Sequence, residues 1–298
     1  MERAVQLGGD MPLFIALTLR ATLGAYAGPV EQTRLDAGAA VAAGRRCSAH
    51  TLTEGPITAL GFLELSLGDH RSALKTLHTQ VGRLDAAPDG TEIIAASFVP
   101  DVVEAMIHLK HFADAEPLIA RLERNGRRLD RPWMLAVGAR CRAMLLAARG
   151  DHHAASTAVE QAMNEHRRLP MPFELARTQL LLGQLQRRHG HQQTAAATLR
   201  EACATFADLN TPLWAERAHR ELSANNSEAH RTAVLTPGEE RVTELASTGL
   251  TNRRVAETLF ISPKTVEANL VRIYHKLGIH SRAELGRRMS QSEGWTNT

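Results

Sequence analysis

From about residue 10 to residue 220 the apolar positions recur at helical spacing, in stretches broken by short polar turns. One stretch, 176–189, carries Leu180, Leu181 and Leu185 along a face. The next, 194–206, carries Ala195, Leu199, Ala202, Cys203 and Phe206. Gly190 lies between them, followed by a polar residue and by an alanine five positions on. The same phrase occurs at Gly68-Asp69 with Ala73 and at Gly150-Asp151 with Ala155, and Lys110-His111 with Ala115 keeps the phase without the glycine. The register positions 68, 110, 150 and 190 are 42, 40 and 40 residues apart. Gly24, 44 residues before Gly68, is read as an earlier, degenerate copy with Pro29 at the alanine position. Glycine ends the first helix of each pair, and alanine lets the second approach closely. Helix hairpins repeating at this period bury each face on the next hairpin, which predicts an α-solenoid over residues 1–222.

Residues 223–235 (SANNSEAHRTAVL) are polar and aperiodic and are read as a linker. Three helix starts follow in residues 236–298. Thr236-Pro237-Gly238-Glu239 and Ser281-Arg282-Ala283-Glu284 read as capping boxes, and Ser262-Pro263 puts proline where its missing N–H costs nothing. Thr251 or Asn252 caps a short helix between the first two. Four helices are predicted, near 237–248, 252–259, 263–277 and 282–289, with Gly249 and Gly278 as stops. A short helix, a tight turn through Phe260-Ile261-Ser262 and a longer helix make a helix-turn-helix.

Composition narrows the reading to all-α. The chain has 298 residues, 44% of them hydrophobic and only 4% aromatic, and it is rich in alanine rather than in the β-branched and aromatic residues of strands. The stretch from Met11 to Leu19 is too short to span a bilayer, and Glu2, Asp10 and Arg20 spoil it as a signal peptide, so a soluble, cytoplasmic protein is expected. Cys47, Cys141 and Cys203 are far apart and are read as buried small hydrophobes. No phosphate loop and no His-Glu-x-x-His motif occurs. His108 and His111 share a helix face without a third ligand, so no enzyme, metal or cofactor is expected.

Charge is uneven. Residues 231–290 hold ten Lys/Arg against six Asp/Glu, a net +4, and the remainder of the chain carries −1. A basic tail on a near-neutral body points towards a polyanion partner. On the longer helix, Val266, Leu270, Ile273 and Leu277 form the core stripe. Lys264, Glu267, Ala268, Val271, Arg272 and His275 fall on the other face. Ala268 and Val271 suit thymine methyl groups in a major groove, and Glu267 suits cytosine N4. Lys264, Thr265, Arg272 and Lys276 are placed for phosphates. Two alternatives remain open, with Glu267 pairing with Lys264 or Arg272 on the helix surface and Thr265 serving the helix start.

Leu235-Thr236-Pro237-x-Glu239, Gly249-Leu250-Thr251-Asn252, Leu259-Phe260-Ile261-Ser262, Lys264-Thr265-Val266-Glu267 and Lys276-Leu277-Gly278-Ile279 resemble the LuxR/FixJ/GerE-type helix-turn-helix. The repeats resemble tetratricopeptide-like repeats, although their period exceeds the usual one. Repeats followed by this domain are similar to the C-terminal part of the large ATP-binding LuxR-type regulators. The resemblance implies sequence-specific binding to double-stranded DNA as a homodimer through residues 282–289. Glu267, Ala268 and Val271 would face bases, and Lys264, Thr265, Arg272 and Lys276 the backbone, with Thr251 and Asn252 completing the DNA-binding set. The repeats would sense a small molecule or a protein. The rival reading is an interaction scaffold, or a piece of a larger ATPase regulator, with a helix-turn-helix that does not bind DNA. Three positions depart from the family pattern: Arg254 in place of glutamate, Thr243 in place of a core leucine, and Asn269 in place of histidine.

Overall fold

The computed structural model describes residues 9–47, 54–86, 91, 93–233, 235–277 and 279–293. Every regular element among them is a helix, and the chain divides into two compact units, Met1–Ser223 and Ala224–Thr298. The first unit holds α1 (Asp10–Ala27), α2 (Val30–Arg46), α3 (Glu54–Ser66), α4 (His70–Ala86), the single turn α5 (Ile93–Ala96), α6 (Val99–His108) and α7 (Phe112–Leu129). It continues with α8 (Pro132–Ala148), α9 (His152–His166), α10 (Pro172–Arg188), α11 (Gln192–Asp208) and the start of α12 (Pro212–Ala233). Sequential helices pack as pairs, and the first helices of successive pairs, α1, α3, α6, α8 and α10, also touch in order. That second set of contacts makes the unit a solenoid.

The turn chemistry follows the repeat. Gly68, Gly150 and Gly190 all take positive φ, and so does Lys110 at 65°, so the phase imposes a left-handed residue even where glycine is absent. Ala73, Ala115, Ala155 and Ala195 are fully buried. Where the helices come closest, a glycine faces a leucine: a Cβ on Gly61 would lie 2.3 Å from Leu77, and one on Gly183 would lie 2.6 Å from Leu199. Pro132, Pro172 and Pro212, spaced by 40, each open a helix, a signal in the sequence that the glycine–alanine phrase overshadows.

The first repeat departs from expectation. Gly24 is not the turn; it sits within α1 against Thr33, and Gly28, at φ 89°, makes the turn 40 residues before Gly68. Thr33, not Pro29, then occupies the alanine position and is buried. The segment read as a linker also differs, because α12 runs on to Ala233. Once a helix is nucleated, each further residue adds a hydrogen bond at little cost, and the polar run contains no Pro or Gly to stop it. Cys141 and Cys203 are buried, but Cys47 is only half-buried. His108 stacks on His70, their ring centroids 3.9 Å apart, rather than pairing with His111.

A buried ionic cluster holds four helices of this unit together. Arg177 on α10 donates to Asp101 (2.7 Å) and Glu104 (2.8 Å) on α6. Arg217 on α12 reaches Glu104 at 2.7 Å, and Arg140 on α8 reaches Glu174 at 2.5 Å. The guanidinium groups of Arg177 and Arg217 lie 4.6 and 4.9 Å from the ring centre of Trp214, whose indole N–H donates to Ser66. Burial raises Asp101 to about 6 despite its arginine. Burial also pushes Glu104 upward, but Arg217 and Arg177 together hold it below the usual carboxylate range.

His166, buried against Thr178 at 2.9 Å, makes the unit acid-sensitive. Burial, with Arg140 nearby, lowers it to about 4, while Glu174 pulls the other way. The unfolded chain therefore takes up a proton near pH 6.5 that the folded chain refuses until about pH 4, and this contribution to stability is lost as pH falls through that window. His70, lowered to about 4, acts in the same sense, and Asp101 opposes both. Denaturant titrations at pH 7 and pH 5 are expected to show His166→Gln losing less stability on acidification than the parent, by on the order of 1–2 kcal/mol. Equal losses would mean that His166 is not held neutral.

Candidate nucleic-acid interface

The second unit contains α13 (Pro237–Ser247), α14 (Asn252–Leu259), α15 (Pro263–Leu277) and α16 (Arg282–Glu293). The capping box at Thr236 is complete, with Glu239 N–H donating to Thr236 Oγ1 and Thr236 N–H to Glu239 Oε2. At the start of α16 the box is shifted, since the backbone N–H that Glu284 accepts from is that of His280, while Glu284 N–H donates to Ser281 Oγ. Gly249 ends α13 with φ 87°; Gly278 and the side chain of His275 lie outside the described residues. Val242, Ala246, Val255, Val266, Leu270, Ile273, Ile279 and Leu285 form one core, so the predicted stripe on α15 faces inward, with Leu277 at its half-buried end.

Thr243 is buried within α13 and its hydroxyl has no hydrogen-bond partner among the described residues. A buried unpaired hydroxyl costs free energy that a methyl of the same shape does not. Thr243→Val is expected to stabilise this unit by about 1 kcal/mol, read as a higher denaturation midpoint. A lower midpoint would show that the hydroxyl has a partner in solution.

Packing the α15 stripe inward leaves Lys264, Thr265, Glu267, Ala268, Val271 and Arg272 exposed, Val271 at 68%. Arg272 is held by Asn269 at 2.5 Å, so the position that departs from histidine steadies this arginine. Glu267 forms no ion pair with Lys264 or Arg272 among the described residues. Thr265 does serve the helix start: its hydroxyl lies 2.8 Å from that of Ser262, and its N–H donates to Ser262 Oγ at 3.0 Å. Between α14 and α15, Phe260 takes φ 55° and is 95% exposed, an aromatic ring standing out from the turn beside this face.

Three of the expected contact residues are engaged inside the unit. Lys276 is the clearest case, being only 18% exposed and donating to Glu239 (6% exposed) at 2.6 Å. Burial pushes Glu239 upward, but the hydrogen bonds from Lys276 and Thr236 outweigh that and hold it low. Lys276 thus ties α15 to the start of α13, because the capping carboxylate has spare lone pairs in a dry place. Asn252 accepts from Arg282 at 2.6 Å, and Thr251 caps α14 through Arg254 N–H at 3.4 Å. Arg282 also donates to the carbonyls of Ala246 (3.2 Å) and Leu250, clamping α16 onto the α13–α14 turn. The sequence held a clue to it, since a cation at a helix N-terminus is electrostatically misplaced unless carbonyls receive it.

Residues 233–289 match the family described as bacterial regulatory proteins, luxR family. The C-terminal unit is a luxR-family helix-turn-helix domain. The chain is similar to an HTH-type transcriptional regulator of Mycobacterium bovis and to two of Mycobacterium tuberculosis, each 36% identical over 102 residues. Each match covers 31% of this chain and 12% of the relative, so the chain corresponds to a small part of those proteins. The matched domain is of a family of bacterial regulatory proteins, and no helix among the described residues is long and apolar enough to cross a membrane.

Proposed function

We propose that the chain is a sequence-specific transcriptional regulator that lays α15 in the major groove of its operator, binds as a dimer through α16, and senses a ligand or partner through its helical repeats. The observation that carries this reading is the outward face of α15, where cations, a carboxylate and two small apolar groups stand exposed side by side. Ala268, Val271 and Glu267 meet base edges in this arrangement, and Lys264, Thr265 and Arg272 meet phosphates. Asn252 keeps its amide N–H groups for a phosphate, and Thr251 belongs to the helix cap as much as to the interface. Lys276 contributes through the fold.

The test is retention of sheared genomic DNA at near-physiological salt, followed by sequencing, with a Thr265→Ala/Arg272→Ala variant alongside. Enrichment of a few sites, lost in the variant, is expected. Uniform retention, or enrichment that survives the variant, would overturn the assignment. The two cations separate further in a salt titration. Arg272→Ala is expected to flatten the dependence of log affinity on log salt by roughly one unit. Lys276→Gln is expected to leave the slope unchanged while costing the domain about 1.5–3 kcal/mol, the value of a hydrogen bond to a charged group. A reduced slope for Lys276→Gln would return that lysine to the DNA.

A further inference from the structure

Beside the buried ionic cluster of the repeat unit lies a cavity of about 230 Å³. It is lined by Arg140, Arg177, Arg187, Arg188 and Arg217, against only two carboxylates, Glu104 and Glu221. Both carboxylates are engaged, Glu104 by Arg177 and Arg217 and Glu221 by Arg187 and Gln184. Asp101 and Glu174 reach Arg177 and Arg140 without lining this cavity. Even with these two, five guanidinium groups meet four carboxylates among the described residues. Arg188, at the rim, is exposed and forms no ion pair among the described residues.

Hydrogen bonding shows the same excess of donors. Arg140 Nη2, Arg177 Nε and Arg217 Nη1 are buried and have no hydrogen-bond partner among the described residues. The side chains of Arg140 and Arg177 are almost wholly buried. Buried donors are nearly always satisfied in a folded protein, and a cluster left over calls for an acceptor from outside the chain. Two buried acceptors, Glu104 Oε1 and Glu174 Oε2, also lack hydrogen-bond partners among the described residues although they face Arg217 and Arg140 as ion pairs, so three donors stand against two acceptors. Stacking on Trp214 fixes two of the guanidinium planes, so little conformational freedom is lost on binding.

We propose that this cavity, formed by α6, α8, α10 and α12, binds a small anionic metabolite through its carboxylate or phosphate group, held by the guanidinium groups of Arg140, Arg177, Arg217 and Arg188 over Trp214. A volume below that of a drug-sized pocket suits a small metabolite rather than a peptide. Bidentate recognition of a planar or tetrahedral anion is what clustered arginines do best. This deepens the sensing half of the function proposed above and rests on it; the anion site itself is tested without DNA.

The experiment uses the full chain, with inorganic phosphate and with malonate as probes, each matched to sodium chloride at equal ionic strength. Binding is read both by the thermal midpoint and by quenching of tryptophan fluorescence, with Trp214→Phe identifying the reporter. One probe is expected to raise the midpoint above the chloride control and to quench Trp214. Arg188→Gln, at an exposed rim position that leaves the fold alone, is expected to weaken that response about tenfold. Arg217→Lys, which keeps a cation beside Glu104, is expected to weaken it further. Phosphate alone responding assigns a phosphorylated ligand, and malonate alone a carboxylate. No response to either beyond chloride, or a response unchanged in both variants, overturns the site. Genomic DNA retention by the same preparations reports separately on the regulator reading, so failure of one is distinguishable from failure of the other.

Discussion

Arg177→Met is expected to destabilise the repeat unit by about 3–5 kcal/mol, the penalty for leaving buried carboxylates without their cation. Arg177 is only 3% exposed and is shared by Asp101 and Glu104, which are themselves buried on α6. Methionine fills much the same volume, so the loss isolates the charge rather than the packing. For a unit of this size the shift in thermal midpoint is on the order of 10 °C. Adding Asp101→Asn and Glu104→Gln to the variant is expected to recover part of the loss, because neutral amides cost less than carboxylates to bury unpaired. Unfolding followed by circular dichroism checks both steps, and a single variant as stable as the parent would show that the cluster is hydrated in solution. The cluster also fixes where Arg140 and Arg217 stand, so its integrity precedes the proposed anion site.

Val271→Glu is expected to weaken DNA binding by at least a hundredfold with the domain still folded. Val271 projects from the middle of the outward face of α15, one turn on from Glu267 and Ala268. A carboxylate there would be pressed against bases and phosphates, and like charge across an interface costs several kcal/mol. Because the side chain is exposed, the stability of the domain should change by less than about 0.5 kcal/mol. A gel-shift titration against a site recovered from genomic DNA, paired with a melting curve, measures both quantities. Unchanged binding would take this face of α15 off the DNA. Phe260, exposed at the neighbouring turn, would then be the next surface to test.

The local features of the fold were legible along the chain. The four C-terminal helices begin within one residue of their expected starts because each start is marked by a capping residue or a proline, and these act over three or four positions. The repeat phase was legible for the same reason, since the left-handed turn residue and the alanine after it are local demands. They hold even at Lys110, where the glycine is missing. In the first repeat the phase was misplaced because Gly24 and Gly28 look alike in sequence; packing against Thr33 decides that Gly24 is a close-approach position and Gly28 the turn.

What only the tertiary structure decided is which charged groups are spent inside the protein. In sequence, Lys276 reads as a phosphate contact, Asn252 as a helix cap or a DNA contact, and Arg282 only as part of a capping box, yet each is turned to a partner 30 or more positions away. Asp101, Glu104, Arg140, Arg177 and Arg217 come from four helices and pass for scattered surface charge until the solenoid stacks them. The physical reason is one of range. Caps, turns and amphipathic phase are set by neighbours three to five residues apart, so sequence order carries them. An ion pair across helices depends on which faces meet, and that is settled only when the apolar faces pack and carry their few charged residues into a place where those residues must find one another.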